Sequence, residues 1–338
     1  MKIGVVGAGA WGTALANLLA QKGLSVDLWA FETEVCEDIL ESRQNKWFLP
    51  NVPLSKNLVP SNDLDQVASG KEMLLLVMPS HVFRSVAAQL VHHPTEETII
   101  VSASKGIENR THLTMTGILR QLLPPRLHSR IAALSGPSFA KDVAAGIPTA
   151  ITVAAADRAV AEKIQSTFAT PSFRVYTGHD VIGVELGGAV KNVMAIAAGI
   201  SDGLGLGLNT RAALITRGLA EIQRLGIRLG AQSKTFMGLA GIGDLVLTCT
   251  GALSRNWTVG NNLGKGMKLD TILSKTRTVA EGLKTTKSVY NLSRKLGVEM
   301  PIAEQVYYIL YEDREPKEAL NVLMSRTLKQ EHDEEEYP

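Results

Sequence analysis

The sequence predicts an α/β fold, an N-terminal doubly wound, mostly parallel sheet followed by an all-helical C-terminal domain, and three observations predict it. Short apolar, β-rich runs alternate with helical patterns through the first half. The first of these runs leads directly into a glycine-rich turn that opens a helix, Gly7-Ala8-Gly9-Ala10-Trp11-Gly12. Beyond about residue 179 the strand signals fade while helical periodicity continues. A chain of 338 residues also exceeds what one apolar core usually fills. Two domains are therefore expected, 1–178 and 179–338, meeting at Thr177-Gly178-His179, with a cleft between the halves as the default ligand site.

Strands are expected near Lys2 to Gly7, Ser25 to Ala30, Glu72 to Met78, Thr98 to Ala103, Ile131 to Ser135, Ala150 to Ala155 and Phe173 to Tyr176. Continuous runs such as IGVV and MLLLVM suit strands buried on both faces. Helices are expected from Trp11 to Gln21, Ser80 to Leu90, Thr111 to Leu122 and Arg158 to Phe168, with Thr111 as a cap and Pro124-Pro125 as a stop. The stretch from Asn45 to Pro60, with three prolines, reads as a loop. In the second half, helices are expected over His179 to about Asp202, Arg211 to Leu225, Gly238 to Leu247, Leu283 to Leu296, Glu304 to Tyr311 and Pro316 to Met324. The acidic tail EHDEEEYP reads as a solvated, frayed end.

Composition narrows the function classes. Thirty-five Lys and Arg against 33 Asp and Glu leave no general electrostatic footprint for nucleic acid, so any anion site must be local. Two distant cysteines, Cys36 and Cys249, argue against a disulfide framework or a structural zinc site and favour a reducing, cytoplasmic compartment. The most apolar stretch, Val184 to Gly207, is interrupted by Glu185, Lys191, Asn192 and Asp202, so no stable membrane insertion is expected. The N-terminus could pass for a signal peptide, since Lys2 precedes an apolar run ending Ala-Leu-Ala, but the glycine spacing accounts for it better.

That spacing matches the GxGxxG fingerprint of Rossmann-like dinucleotide sites, in the strand-to-helix context that its mechanism requires. Gly7 permits the tight turn, Gly9 lets backbone approach a pyrophosphate, and Gly12 allows close helix–strand packing, while the helix N-terminus offers free N–H groups to phosphate. Past the second strand, where a carboxylate selects NAD and a basic residue NADP, stand Phe31 and Glu32. Glu32 reads either as a ribose ligand or as a first-turn acid of the next helix. An FAD protein would share the fingerprint, but nothing further along suggests a flavin ring site, so a nicotinamide cofactor, NAD or NADP, is favoured.

Chemistry-bearing residues follow the strands. Lys105, in Ser102-Ala103-Ser104-Lys105-Gly106, sits at a strand's carboxyl end as a candidate anion or carbonyl contact, or as a solvated loop lysine. Gly136-Pro137-Ser138-Phe139-Ala140 repeats the logic, with Pro137 suited to a first helical turn and Ser138 presenting a hydroxyl. Lys191 lies among small and apolar residues in VELGGAVKNVMAIAAGI, where burial would lower its pKa from about 10.4 toward neutrality and suit it to general acid–base work. The competing reading is a lysine snorkelling at the helix surface. Asp244, in Gly241-Ile242-Gly243-Asp244, is costly to bury unless paired, and Lys191 is an available partner. Ser254-Arg255-Asn256 brings together a hydroxyl, a guanidinium and an amide, a clamp for phosphate or carboxylate. No metal is called for.

With GAGAWGTALA, SASKGIE, LSGPSFA, VELGGAVKNVMAIAAGI, GLAGIGDLVLTCTG, SRNWTVG and VAEGLKT in this order over about residues 1 to 290, the chain resembles bacterial NAD(P)-dependent glycerol-3-phosphate dehydrogenases. The resemblance implies reversible reduction of dihydroxyacetone phosphate to sn-glycerol 3-phosphate for phospholipid synthesis, with direct hydride transfer, in a cytoplasmic homodimer. It implies Lys191 as proton donor and acceptor at the C2 oxygen, Asp244 orienting Lys191 and the substrate hydroxyls, and Lys105 touching substrate and cofactor. Gly136, Ser138, Ser254, Arg255 and Asn256 would hold the substrate, Arg255 chiefly on its phosphate, with Thr248 near that phosphate. Gly7, Gly9, Ala10, Trp11, Gly12, Phe31, Glu32, Lys105, Ala140, Arg255, Val279 and Glu281 would border the cofactor. Two departures stand out: many relatives carry basic residues where this chain has Phe31-Glu32, so no NADP preference carries over, and Ala10 replaces a frequent serine.

Two other readings compete. A β-hydroxyacid dehydrogenase shares the domain plan, but the clamp at Ser254 to Asn256 speaks against it. A nicotinamide-binding redox sensor would not need the Lys191 and Asp244 pair.

Overall fold

The computed structural model describes residues 1–274 and 280–331; Val279 and the acidic tail from 332 onward lie outside the described residues. The chain divides into two compact units, Met1–Glu185 and Leu186–Pro338.

The first unit runs β1 (Lys2–Val6), α1 (Ala10–Gln21), β2 (Ser25–Trp29), α2 (Thr33–Ser42), β3 (Leu58–Ser61), α3 (Leu64–Ala68), β4 (Met73–Leu76), α4 (Ser80–Gln89), β5 (Ile99–Ser102) and α5 (Met115–Leu122). It continues through a 3-10 turn to β6 (Ile131–Ser135), α6 (Ala140–Ala144), β7 (Thr149–Ala155), α7 (Arg158–Phe168) and β8 (Phe173–Gly178). The eight strands form one sheet in the order β3-β2-β1-β4-β5-β6-β7-β8. All neighbours are parallel except β6 and β7. The sheet is buried on both faces: along β4, Met73 and Leu75 enter one apolar cluster while Leu74 and Leu76 enter the other. This two-sided burial is why the strands read as unbroken apolar runs. The chain order reverses between β1 and β4, and ligands of such sheets bind at the strand carboxyl ends beside that switch point.

Two expectations need correction here. The proline-rich stretch read as a loop ends in a strand, β3, whose Pro60 pairs with Leu28. Proline lacks the ladder N–H, and β3 tolerates it because it lies at the sheet edge. Helix α5 begins four residues later than expected. Its cap is Thr114, whose side chain accepts from the Gly117 N–H, whereas the Thr111 hydroxyl donates to the Glu108 carboxylate. Helix α3 was not expected, although Asp63 caps it by accepting from the Gln66 N–H. The helix expected to begin at Pro137 is α6, which starts at Ala140, so that Pro137 precedes it and does not lie in its first turn.

Helix α8 (Val181–Gly203) opens the helical part, followed by α9 (Gly207–Arg228), α10 (Ser233–Phe236), a π-turn over Leu239–Gly243, α11 (Asp244–Thr250) and α12 (Arg255–Gly264). Then come α13 (Leu269–Ser274), α14 (Glu281–Leu296), α15 (Pro301–Tyr311) and α16 (Pro316–Met324). Among the described residues the second unit contains no strand. Contrary to expectation, α8 is long and apolar enough to cross a membrane by length and composition, yet 94% of its most apolar window is buried. Its charged and amide residues do not break it, because Glu185, Lys191, Asn192 and Asp202 each find a partner. Within the first unit, the Glu185 carboxylate accepts from the backbone N–H and hydroxyl of Thr116, closing the open N-terminus of α5.

Candidate active site

In the first unit the dinucleotide loop bridges β1 and α1. Gly7 has φ of +118°, and a side chain there would overlap the Val77 carbonyl; a Cβ on Gly12 would overlap the Gly7 carbonyl. Both positions therefore require glycine, as the turn and the close helix–strand approach demand. A Cβ on Gly9, by contrast, would meet nothing within 4 Å. The backbone is thus open at the position where a pyrophosphate would approach. Beside it the Trp11 indole Nε1 is buried and has no hydrogen-bond partner. These observations fit a bound dinucleotide, whose phosphates would take the N–H groups at the start of α1.

At the end of β2, Phe31 is exposed and its ring stands edge-on to Trp29 at 6.1 Å. Glu32 occupies the N-cap of α2 but its side chain makes no capping bond, and the first-turn acid is Glu34. The exposed Glu32 carboxylate thus stands at the helix terminus without a capping bond, compatible with either reading.

Lys105 and, 31 residues further along the chain, Gly136 with its near neighbour Ser138 converge on one atom. The Lys105 ammonium (3.4 Å) and the Ser138 hydroxyl (3.0 Å) both donate to the Gly136 carbonyl. Gly136 has φ of +147°, and a Cβ there would press on Ile151, so the convergence depends on glycine. Lys105 is half-buried, as are Ser138 and Ala140, the first residue of α6.

In the second unit a buried ion pair forms the centre. Lys191, on α8, donates to the Asp244 carboxylate and, at 2.8 Å, to the Thr248 hydroxyl, which in turn donates to the Asp244 carbonyl at 2.6 Å. Side-chain exposure is 7% for Lys191 and 1% for Asp244, which rules out the snorkelling reading. A buried charge pair offsets its desolvation only with good geometry and further hydrogen bonds, and Thr248 provides one. Local packing creates the geometry: a Cβ on Gly187 would overlap the Ala240 carbonyl, so α8 lies directly on the π-turn that ends at Asp244. Thr248, which the resemblance puts near the phosphate, is engaged with Lys191. Next to it, burial pushes the Cys249 thiol up to about 12, leaving it chemically quiet.

The clamp residues open α12. Ser254 is its N-cap, its hydroxyl accepting from the Trp257 N–H at 3.2 Å. Arg255 is exposed and borders a cavity of about 300 Å³ with Thr258 and Asn262. Asn256 is buried and ties helices together: its amide donates to the Asn192 side chain and its oxygen accepts from the Gly282 N–H, each at 3.0 Å. That leaves one amide hydrogen for a ligand. Glu281 is the first residue of α14. Sequence reasoning missed Asn192, although its place beside Lys191 in the same apolar helix carried the signal. No cluster of metal-ligating residues occurs among the described residues.

Family models describe the same two halves: residues 2–161 match the NAD-dependent glycerol-3-phosphate dehydrogenase N-terminus and residues 180–321 its C-terminus. A glycerol-3-phosphate dehydrogenase (NAD(P)+) of Syntrophobacter fumaroxidans is 55% identical over 329 residues, covering 97% of both chains. One from Geobacter sulfurreducens is 57% identical over 330 residues, covering 98% of both. The crystal structure of glycerol-3-phosphate dehydrogenase from Coxiella burnetii superposes with a TM-score of 0.91 at 40% identity, covering 96% of this chain and 99% of that one. The chain belongs to the NAD-dependent glycerol-3-phosphate dehydrogenase family.

Proposed function

We propose that this chain reversibly reduces dihydroxyacetone phosphate to sn-glycerol 3-phosphate, using NADH or NADPH, to supply the backbone for phospholipid synthesis. The observation that carries this reading is the buried lysine held between a carboxylate and a hydroxyl, Lys191 with Asp244 and Thr248. The region 1–178 serves the dinucleotide, with Gly7, Gly9, Ala10, Trp11, Gly12, Phe31, Glu32 and Ala140 along it. The region 179–338 serves the substrate, Arg255 and Glu281 reaching the cofactor as well.

When bound, the nicotinamide supplies a hydride to the substrate C2 or takes one back. As the carbonyl oxygen gains negative charge, the Lys191 ammonium stabilises it and transfers a proton to it; in the reverse direction the amine removes that proton. Asp244 and Thr248 hold Nζ in one orientation, so little reorganisation accompanies the proton transfer. Arg255 pairs with the phosphate, and Ser254 and the spare Asn256 hydrogen complete the clamp. Lys105 and Ser138, gathered by the Gly136 carbonyl, hold the other end of the substrate. Glu32 accepts the adenosine ribose hydroxyl and favours NAD.

We further infer a homodimer acting in the cytoplasm, with the resemblance supporting the first and the two free thiols the second. Absorbance of reduced nicotinamide followed with dihydroxyacetone phosphate, NADH and NADPH side by side, tests the reading. Oxidation that depends on the phosphorylated ketone is expected, faster per molar cofactor with NADH. Cofactor binding without any oxidation would overturn it in favour of a redox sensor.

A further inference from the structure

Helices α8 and α12 approach each other backbone to backbone. Cβ atoms on Gly199 and Gly203 would overlap the carbonyls of Trp257 and Asn261, and Cβ atoms on Gly260 and Gly264 would overlap those of Ile196 and Ile200. Each helix thus presents two glycines four residues apart to the other. The contacts, from Asn192–Asn256 to Ile196–Gly260 and Ile200–Gly264, advance in the same sense along both helices. Lys191 stands at one end of this seam and the clamp at the start of α12. The glycine seam sets how close the two helices come and in what register, since any residue other than glycine at these positions would drive a Cβ into a facing carbonyl.

Asp202 adds a side-chain tie across the same helices. Its carboxylate, at the end of α8 and 8% exposed, accepts from Arg211 of α9 (Nε 3.0 Å, Nη2 2.8 Å) through one oxygen. Through its other oxygen it accepts from the Trp257 indole N–H at 2.6 Å. Trp257 is the residue next to Asn256, and its own backbone N–H is the one capped by Ser254. We propose that Asp202 is a positioning residue for substrate binding: by holding the Trp257 indole, with Arg211 fixing its own rotamer, it sets Ser254, Arg255 and Asn256 at a defined distance from Lys191. The inference rests on the clamp reading proposed above. It assigns to Asp202 a role in affinity for the phosphate end of the substrate, separate from proton transfer.

The test uses Trp257→Phe, which removes the indole N–H and keeps an aromatic ring, with Asp202→Asn, which can serve only one of the two donors. Purified full-length variants are checked by circular dichroism and thermal unfolding, then assayed at saturating NADH. The KM for dihydroxyacetone phosphate should rise about tenfold in Trp257→Phe, as expected for loss of one hydrogen bond to a charged group, with kcat within about twofold of the parent. Competitive inhibition by inorganic phosphate should weaken by the same factor. A folded Trp257→Phe with unchanged KM overturns the proposal, and so does a fall in kcat at constant KM, which would assign the network to Lys191. If the parent protein does not turn over dihydroxyacetone phosphate, the function reading fails on its own. Calorimetric titration with inorganic phosphate then still decides the matter, equal affinity in parent and Trp257→Phe overturning it and weaker affinity in the variant upholding it.

Discussion

The two units prepare for ligands by different means. In the first, backbone does the work: a glycine at φ +118° turns the chain out of β1, another at +147° presents a carbonyl to Lys105 and Ser138, and α1 offers its unpaired N–H groups. In the second, side chains do it, on helices too closely packed to expose backbone: Lys191, Asp244 and Thr248 are buried, and Asn192, Asn256 and Asp202 bond across helices. The difference suits the two tasks. A dinucleotide is long and needs many modest contacts along a fixed edge, whereas proton transfer needs one group held in one orientation.

If that division holds, each half can be broken alone. Lys191→Ala should lower kcat by about a thousandfold, within the range for losing a general acid, while NADH binding measured by fluorescence titration stays near the parent value. A comparable loss of NADH affinity would show that the halves are not separable. Gly12→Ala should act the other way. Its Cβ overlaps the Gly7 carbonyl, and strain of about 1–3 kcal/mol should weaken NADH binding roughly ten- to a hundredfold. Substrate-analogue affinity should change little by comparison. Thr248→Val, smaller still, deletes the hydroxyl between Lys191 and the Asp244 carbonyl and should lower kcat about tenfold. A change confined to KM would assign Thr248 to the phosphate, as the family resemblance implies.

The same contrast decides what the sequence could tell. A backbone device leaves a local signature, because only glycine satisfies it, so the loop from Gly7 to Gly12, the turn at Gly136 and the strands that lead into them were legible. Edge strand β3 was hidden because a proline there mimics a loop signal. In the second unit Lys191 and Asp244 showed as buried charges needing partners, but their bond closes across 53 residues and only packing reveals it. Asn192, Asp202 and Trp257 read as ordinary helix residues until α12 is seen against α8. The glycine pairs 199/203 and 260/264 were in plain view, yet nothing local says that they face each other.

Glu221 offers the last comparison, a buried carboxylate doing in the second unit what Glu185 does in the first. It accepts from the backbone N–H groups of Ile302 and Ala303, at 2.7 and 3.2 Å, and so closes the N-terminus of α15 behind Pro301. Burial raises its pKa to about 7, against the pull of those N–H groups and of Arg224 and Arg326. The folded chain therefore keeps a proton that the unfolded chain gives up near 4.5, so folding takes up a proton between these values. Its contribution is complete below about 4.5 and is lost as pH rises through about 7. Thermal unfolding from pH 5 to 8 should show Glu221→Gln, which cannot ionise, gaining a few degrees on the parent as pH rises, with kcat and KM at pH 7 unchanged. Parallel curves for the two proteins would mean that the N–H groups of α15 outweigh burial and that Glu221 is ionised throughout.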